Sequence, residues 1–122
     1  MLTSQRLLII EDVFLIALDI QRIIEEANAA PPVLARTFEE AADLADRFGE
    51  FDLAIVNPPE AGSAGMHVAA RLAAACPAIV VCTGAGTDLG ATPLAGAELI
   101  MKPFSDDDLL AACRKAMDRR KN

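Results

Sequence analysis

The sequence predicts a doubly wound α/β domain in which five parallel strands are covered by helices on both faces. Three observations predict it. Short apolar runs without polar alternation, Leu7 to Ile10, Leu53 to Val56 and Ala78 to Cys82, mark strands buried on both faces. Segments with apolar residues at spacings of three and four separate them. No internal repeat or low-complexity stretch interrupts the alternation, and 122 residues suit one domain over 1–122 with a single hydrophobic core.

Leu7 to Ile10 is the first strand. Phe14 to Ala27 is a helix, because Ile16, Ile20, Ile23, Ile24 and Ala27 share one face; Pro31 and Pro32 break it. Val33 to Ala35 is a short strand. Thr37-Phe38-Glu39-Glu40 has the spacing of a capping box and opens a second helix through Phe48, which Gly49 ends. Leu53 to Val56 is the third strand. Met66 to Cys76 is a third helix with Ser63 as a candidate cap, and Ala78 to Cys82 is the fourth strand.

Between Thr83 and Lys102 the glycines 84, 86, 90 and 96 and Pro93 predict a short or irregular fourth helix, since glycine costs about 1 kcal/mol and proline about 3 inside a helix. Leu99 to Met101 belongs to the fifth strand. Ser105-Asp106-Asp107-Asp108 opens the last helix with acids at its positive end. Arg114, Lys115, Arg119, Arg120 and Lys121 complement its negative end. Right-handed crossovers then give a flavodoxin-like (βα)5 sheet of order 2-1-3-4-5.

Composition narrows the function. Hydrophobic residues make up 53% of the chain, too many for disorder, and no apolar stretch is long enough for a membrane span. Met1 to Arg6 lacks the layout of a secretory signal, so a cytoplasmic protein is expected. A net charge of -7 argues against nucleic acid and anionic membrane as partners. Cys76, Cys82 and Cys113 show no metal or CxxC spacing and are expected in the core. The lone histidine, His67, falls on a helix and is expected to be structural or exposed.

The chemistry-bearing residues fall at strand ends, where doubly wound folds place their functional crevice. Glu11 and Asp12 follow the first strand, Asn57 the third, Thr83 the fourth and Lys102 the fifth. Singly, each has a plain reading. Asp12 suits an N-cap, Asn57 a turn before Pro58 and Pro59, Thr83 a strand-end hydroxyl, and Lys102 a solvated cation. Their convergence on one crevice favours a joint site.

In order and spacing these residues resemble the receiver domain of response regulators, the CheY-like superfamily, over nearly the whole chain. Leu8-Ile9-Ile10-Glu11-Asp12 is similar to that family's first strand and acidic pair. Phe51 to Asn57 is similar to its third strand, which normally ends in the phosphorylated aspartate. Gly65 matches a loop glycine, Ala78 to Gly84 the fourth strand with its switch hydroxyl, and Met101-Lys102-Pro103-Phe104 the Lys-Pro-Phe signature, whose Lys-Pro bond is usually cis. The chain departs from the family at Asn57, at Pro58-Pro59-Glu60 (the family's proline would fall at Ala61), and at Leu99, where a switch aromatic is customary. It also departs in the glycine-rich fourth-helix region, where Thr83-Gly84 is similar to a subgroup of alphaproteobacterial stress signalling without its aromatic near Gly86.

The resemblance implies a bacterial two-component or phosphorelay receiver that is not itself an enzyme. It implies a histidine kinase, a phosphotransfer protein or another signalling protein as partner. It also implies homodimerisation through the fourth helix, fifth strand and fifth helix. Thr83 and Leu99 take the switch positions, and Lys102 the phosphate-pairing position beside a cis Pro103. Mg²⁺ would fall to Glu11, Asp12 and the carbonyl of Pro59, weakly or not at all, because Asn57 withdraws an anionic ligand.

Asn57 is the phosphoacceptor-equivalent position, yet an amide nitrogen is a very poor nucleophile and an acyl phosphate needs a carboxylate. The expected molecule is a pseudo-receiver acting by protein contact. Neutralising position 57 also relieves repulsion of roughly 4 kcal/mol per carboxylate pair at about 4 Å. The alternatives are an ordinary receiver carrying an Asp-to-Asn change and a flavodoxin-like ligand binder. The second is disfavoured because no phosphate-cradling glycine loop follows the first strand.

Overall fold

The computed structural model of the chain describes residues 5–27, 30–60, 62–84, 89–90 and 92–119. Met1 to Ser4, Ala61, Gly86, Arg120 and Lys121, which enter the sequence reading, lie outside those residues. Strands β1 (Leu7–Ile10), β2 (Val33–Ala35), β3 (Leu53–Val56), β4 (Ile79–Thr83) and β5 (Glu98–Met101) form one parallel sheet in the order β2-β1-β3-β4-β5. The α-helices are α1 (Phe14–Glu26), α2 (Phe38–Ala41), α3 (Gly65–Ala75) and α4 (Asp106–Arg119). Among the described residues no helix is long and apolar enough to cross a membrane.

β1, β3 and β4 are buried along their whole length. Successive side chains go to opposite faces, so one run feeds two cores. Leu7, Ile9, Leu53, Ile55, Val80 and Cys82 pack with Ile20, Ile23 and Ile24 of α1 and Leu109, Ala112, Cys113 and Ala116 of α4. Leu8, Ile10, Ala54, Val56, Ile79 and Val81 pack with Phe38, Ala41, Phe48, Ala69, Leu72 and Leu94 on the other face. Fully burying each large aliphatic side chain is worth about 1.5–3 kcal/mol. The sequence expectation of one core therefore becomes two, divided by the sheet. All three cysteines are buried thiols, as expected.

Three elements differ from expectation. The second helix is α-helical only over Phe38–Ala41 and continues as a 3-10 helix over Ala42–Glu50. Three residues per turn eclipses positions i and i+3, and the buried residues Phe48 and Phe51 stand three apart at its end. Thr37 does cap the start, accepting from the Glu40 amide at 3.0 Å. No helix occupies the described residues between β4 and β5. Turns bonded Thr92 to Leu89, Ala95 to Thr92 and Ala97 to Leu94 carry the chain instead, and Leu94 fills the core there. Among the described residues the five expected helices become four α-helices, of which α4 is the last.

Ser63 does not cap α3, because its hydroxyl donates to the Glu60 carbonyl at 2.7 Å. α3 begins at Gly65, which the resemblance places in a loop. A Cβ there would meet Glu39 Oε1 at 2.8 Å and the Pro59 and Phe38 Cβ atoms at 3.1 and 3.2 Å. The missing side chain lets α2 and the Pro58–Pro59 turn close on α3. Ser105 caps α4 reciprocally, accepting from the Asp108 amide at 3.0 Å while Asp108 accepts from the Ser105 amide at 3.3 Å. Arg22 ties α1 to the start of α4 through bonds of 3.1 and 3.0 Å to Asp106, which hold the Asp106 carboxyl below its usual range.

Candidate functional site

The parallel ladder carries the site residues one step past the strands. The Glu11 amide donates to the Ala35 carbonyl at 3.1 Å, the Asn57 amide to Ile10 at 2.7 Å, and the Lys102 amide to Thr83 at 2.7 Å. Glu11, Asn57 and Lys102 are thereby held at the carboxyl ends of β1, β3 and β5, with β4 between the last two. Thr83 is the last residue of β4 and is buried.

The polar side chains pair off in two couples. Lys102 Nζ lies 2.6 Å from Glu11 Oε1, and the Glu11 side chain is only 1% exposed. The other Glu11 oxygen accepts from the Val13 amide at 3.1 Å, at the start of α1. Glu11 therefore supports that helix, and the plain N-cap reading of Asp12 is corrected: Val13 is the N-cap residue. Asp12 instead accepts a 3.0 Å hydrogen bond from Asn57 Nδ2. Lys102, whose plain reading was a solvated cation, pairs with Glu11. Beneath the couple lies Cys82, whose thiol burial pushes up to about 12, with Lys102 opposing and Glu11 adding to the shift.

Beside the Asp12–Asn57 couple a cavity of about 330 Å³ is lined by Arg36, Thr37, Glu39, Pro58, Pro59 and Glu60 among others. Arg36 is a site residue that sequence reasoning missed. Its signal was its place directly after β2, the strand next to β1. Leu99 does not enter this crevice; it is exposed on β5, opposite Val81 in the ladder. The Lys102–Pro103 bond is cis. His67 lies exposed on α3.

The donor set does not fit a resident Mg²⁺ ion. Both Glu11 oxygens are engaged by protein donors, one Asp12 oxygen faces an amide N–H, and Asn57 brings no charge. Among the described residues no group of three or more His, Cys, Asp or Glu side chains could hold a metal ion.

The fold is similar to that of solved response regulator receiver domains. The response regulator receiver domain protein from Clostridium thermocellum is 25% identical with a TM-score of 0.74, the match covering 96% of this chain and 97% of that one. The signal receiver domain of a modulated diguanylate cyclase from Desulfovibrio desulfuricans G20 is 26% identical with a TM-score of 0.75, covering 96% of each. A response regulator receiver protein from Sinorhizobium medicae WSM419, at 18% identity and a TM-score of 0.79, covers 98% of this chain and 99% of that one and shares the fold. No protein-family model and no curated protein matches the chain. These neighbours support a receiver of two-component signalling.

Proposed function

We propose that this chain is a pseudo-receiver of bacterial two-component signalling that works by protein contact and takes no phosphoryl group at position 57. The observation that carries the reading is the 3.0 Å bond from Asn57 Nδ2 to Asp12. It puts a neutral amide where an in-line nucleophile would stand and turns its N–H toward the acid that would otherwise hold a metal. In this reading Lys102 neutralises Glu11, the Asn57 amide satisfies one Asp12 oxygen, and the pocket works without Mg²⁺. The chain has no catalysis of its own and sits in one signalling state in the cytoplasm.

Its partner is a histidine kinase, a phosphotransfer protein or another signalling protein, not nucleic acid or membrane. The contact surface in this reading is the β5–α4 side. There Leu99 and Met101 are exposed beside a groove shared with Pro103, Phe104 and Lys115. Of the face implied by the family resemblance, this keeps the strand and the last helix.

Titration with phosphorylated and unphosphorylated phosphotransfer proteins tests the proposal. Equal affinities with the phosphohistidine retained are expected; loss of the phosphohistidine with transfer to this chain would sink it. A second reading, an ordinary receiver carrying an Asp-to-Asn change, is favoured by the intact Glu11–Lys102 couple and the buried Thr83. Rapid Mg²⁺-dependent phosphorylation of Asn57→Asp would support it.

A further inference from the structure

Helix α1 is apolar on the wrong side at its start. Ala17, Ile20, Ile23 and Ile24 face the core, as an amphipathic helix requires. Its second half is charged outward, with Asp19, Arg22, Glu25 and Glu26 exposed. The first half is not: Phe14 is 71% exposed and Leu15 76%, with Val13 and Leu18 near half. Leu34, on the neighbouring edge strand β2, is also 43% exposed. Phe14, Leu18 and Leu34 line a hollow of about 420 Å³ with Ala17, Ala35 and Arg36.

We infer that this α1–β2 face is the surface through which two copies of the chain associate about a two-fold axis. Area supports a second copy as the occupant. The five side chains expose roughly 500 Å² of apolar surface, at the upper end of what a monomer leaves to water. A standard interface covers about 800 Å² per partner, some 56–65% of it apolar, which is roughly the same area.

Shape supports it too. A two-fold contact must be self-complementary, each copy giving what it receives. This face carries a knob, Leu15, next to a hole, the Leu18–Leu34 hollow, so each copy can seat its knob in the other. The rim holds both signs of charge, Asp12 and Arg36, which can meet across the axis. The β5 edge offers only Leu99 and Met101 among exposed large apolar residues. The inference goes beyond the pseudo-receiver reading and does not depend on phosphate chemistry.

Sedimentation equilibrium of the whole chain over a range of concentrations tests it. A monomer–dimer equilibrium with a micromolar Kd is expected. Leu15→Asp and Leu34→Asp, on two different elements, should each raise Kd about tenfold or more, and Met101→Asp should leave it within about twofold. All three sites are exposed, and far-UV circular dichroism verifies folding. Amide exchange gives a readout free of variants: protection at residues 13–18 and 33–36 should rise with protein concentration. A monomer at every concentration overturns the inference. So does a dimer lost in Met101→Asp but kept in Leu15→Asp, or an α1 stripe that only a different protein protects.

Discussion

Asn57 Nδ2 donates a 3.0 Å hydrogen bond to Asp12 Oδ1, joining the end of β3 to the turn between β1 and α1. An aspartate at 57 would put two carboxylates at that separation and lose the donor. Asn57→Asp is therefore expected to cost about 1–2 kcal/mol without divalent cations, the pair being only partly buried. Millimolar Mg²⁺ should return much of that loss in the variant and leave the parent chain unchanged. Urea denaturation with and without Mg²⁺ measures both; a parent chain stabilised by Mg²⁺ as strongly as the variant would contradict the account.

Lys102→Ala should be among the most damaging single changes at the site. It leaves Glu11 charged and buried without its cation, at a cost of about 3–5 kcal/mol. Glu11→Gln in the same chain should recover part of the loss, since a carboxamide oxygen still accepts from the Val13 amide and no charge is stranded. Equal stability of the single and double variants by denaturant titration would show that the couple is not what holds this end of the sheet.

The fold should weaken in alkali. Burial pushes the Cys82 and Cys113 thiols up to about 12. A thiol whose folded pKa is raised stabilises fully below its unfolded value, about 8.5, and loses that contribution as pH rises toward the folded value. Melting temperature should therefore fall between about pH 8.5 and 12, and less so in Cys82→Ala, whose own packing loss is measured at neutral pH. Thiol reagents should label the native chain only as fast as it opens. Instant labelling at neutral pH is the contrary result.

Asn57 is followed by Pro58. Asparagine ordinarily deamidates when the next backbone nitrogen attacks the side-chain carbonyl, and the proline nitrogen has no hydrogen to lose. Position 57 should thus remain a carboxamide through long incubation at mildly alkaline pH, while Asn28, followed by Ala29, converts. Peptide mapping by mass reads both; conversion of Asn57 at the rate of Asn28 would argue against this protection.

Much of this was legible because strand chemistry is local. β1, β2 and β3 fall at the expected residues, since uninterrupted apolar runs admit few other parallel-sheet placements. The strand-end set followed from that register. What was not legible depends on packing. A nine-residue amphipathic stretch does not distinguish the 3-10 geometry of Ala42–Glu50 from an α-helix. Glycine and proline counts signalled a disturbed fourth helix but not that Leu94 would fill its place. Which acid Lys102 chooses, and that Gly65 opens a helix against Pro59 and Phe38, are matters of distances of a few ångströms. Arg36 is marked in the sequence only by its place after β2, since a single cation after a short strand forms no repeating pattern.

The central claim is that position 57 accepts no phosphoryl group. Intact-mass measurement after incubation with acetyl phosphate and Mg²⁺ tests it most directly, with Asn57→Asp alongside as a positive control. The account predicts an unchanged mass for this chain. A base-labile gain of one phosphoryl group mapping to the Asp12–Asn57 crevice would contradict it.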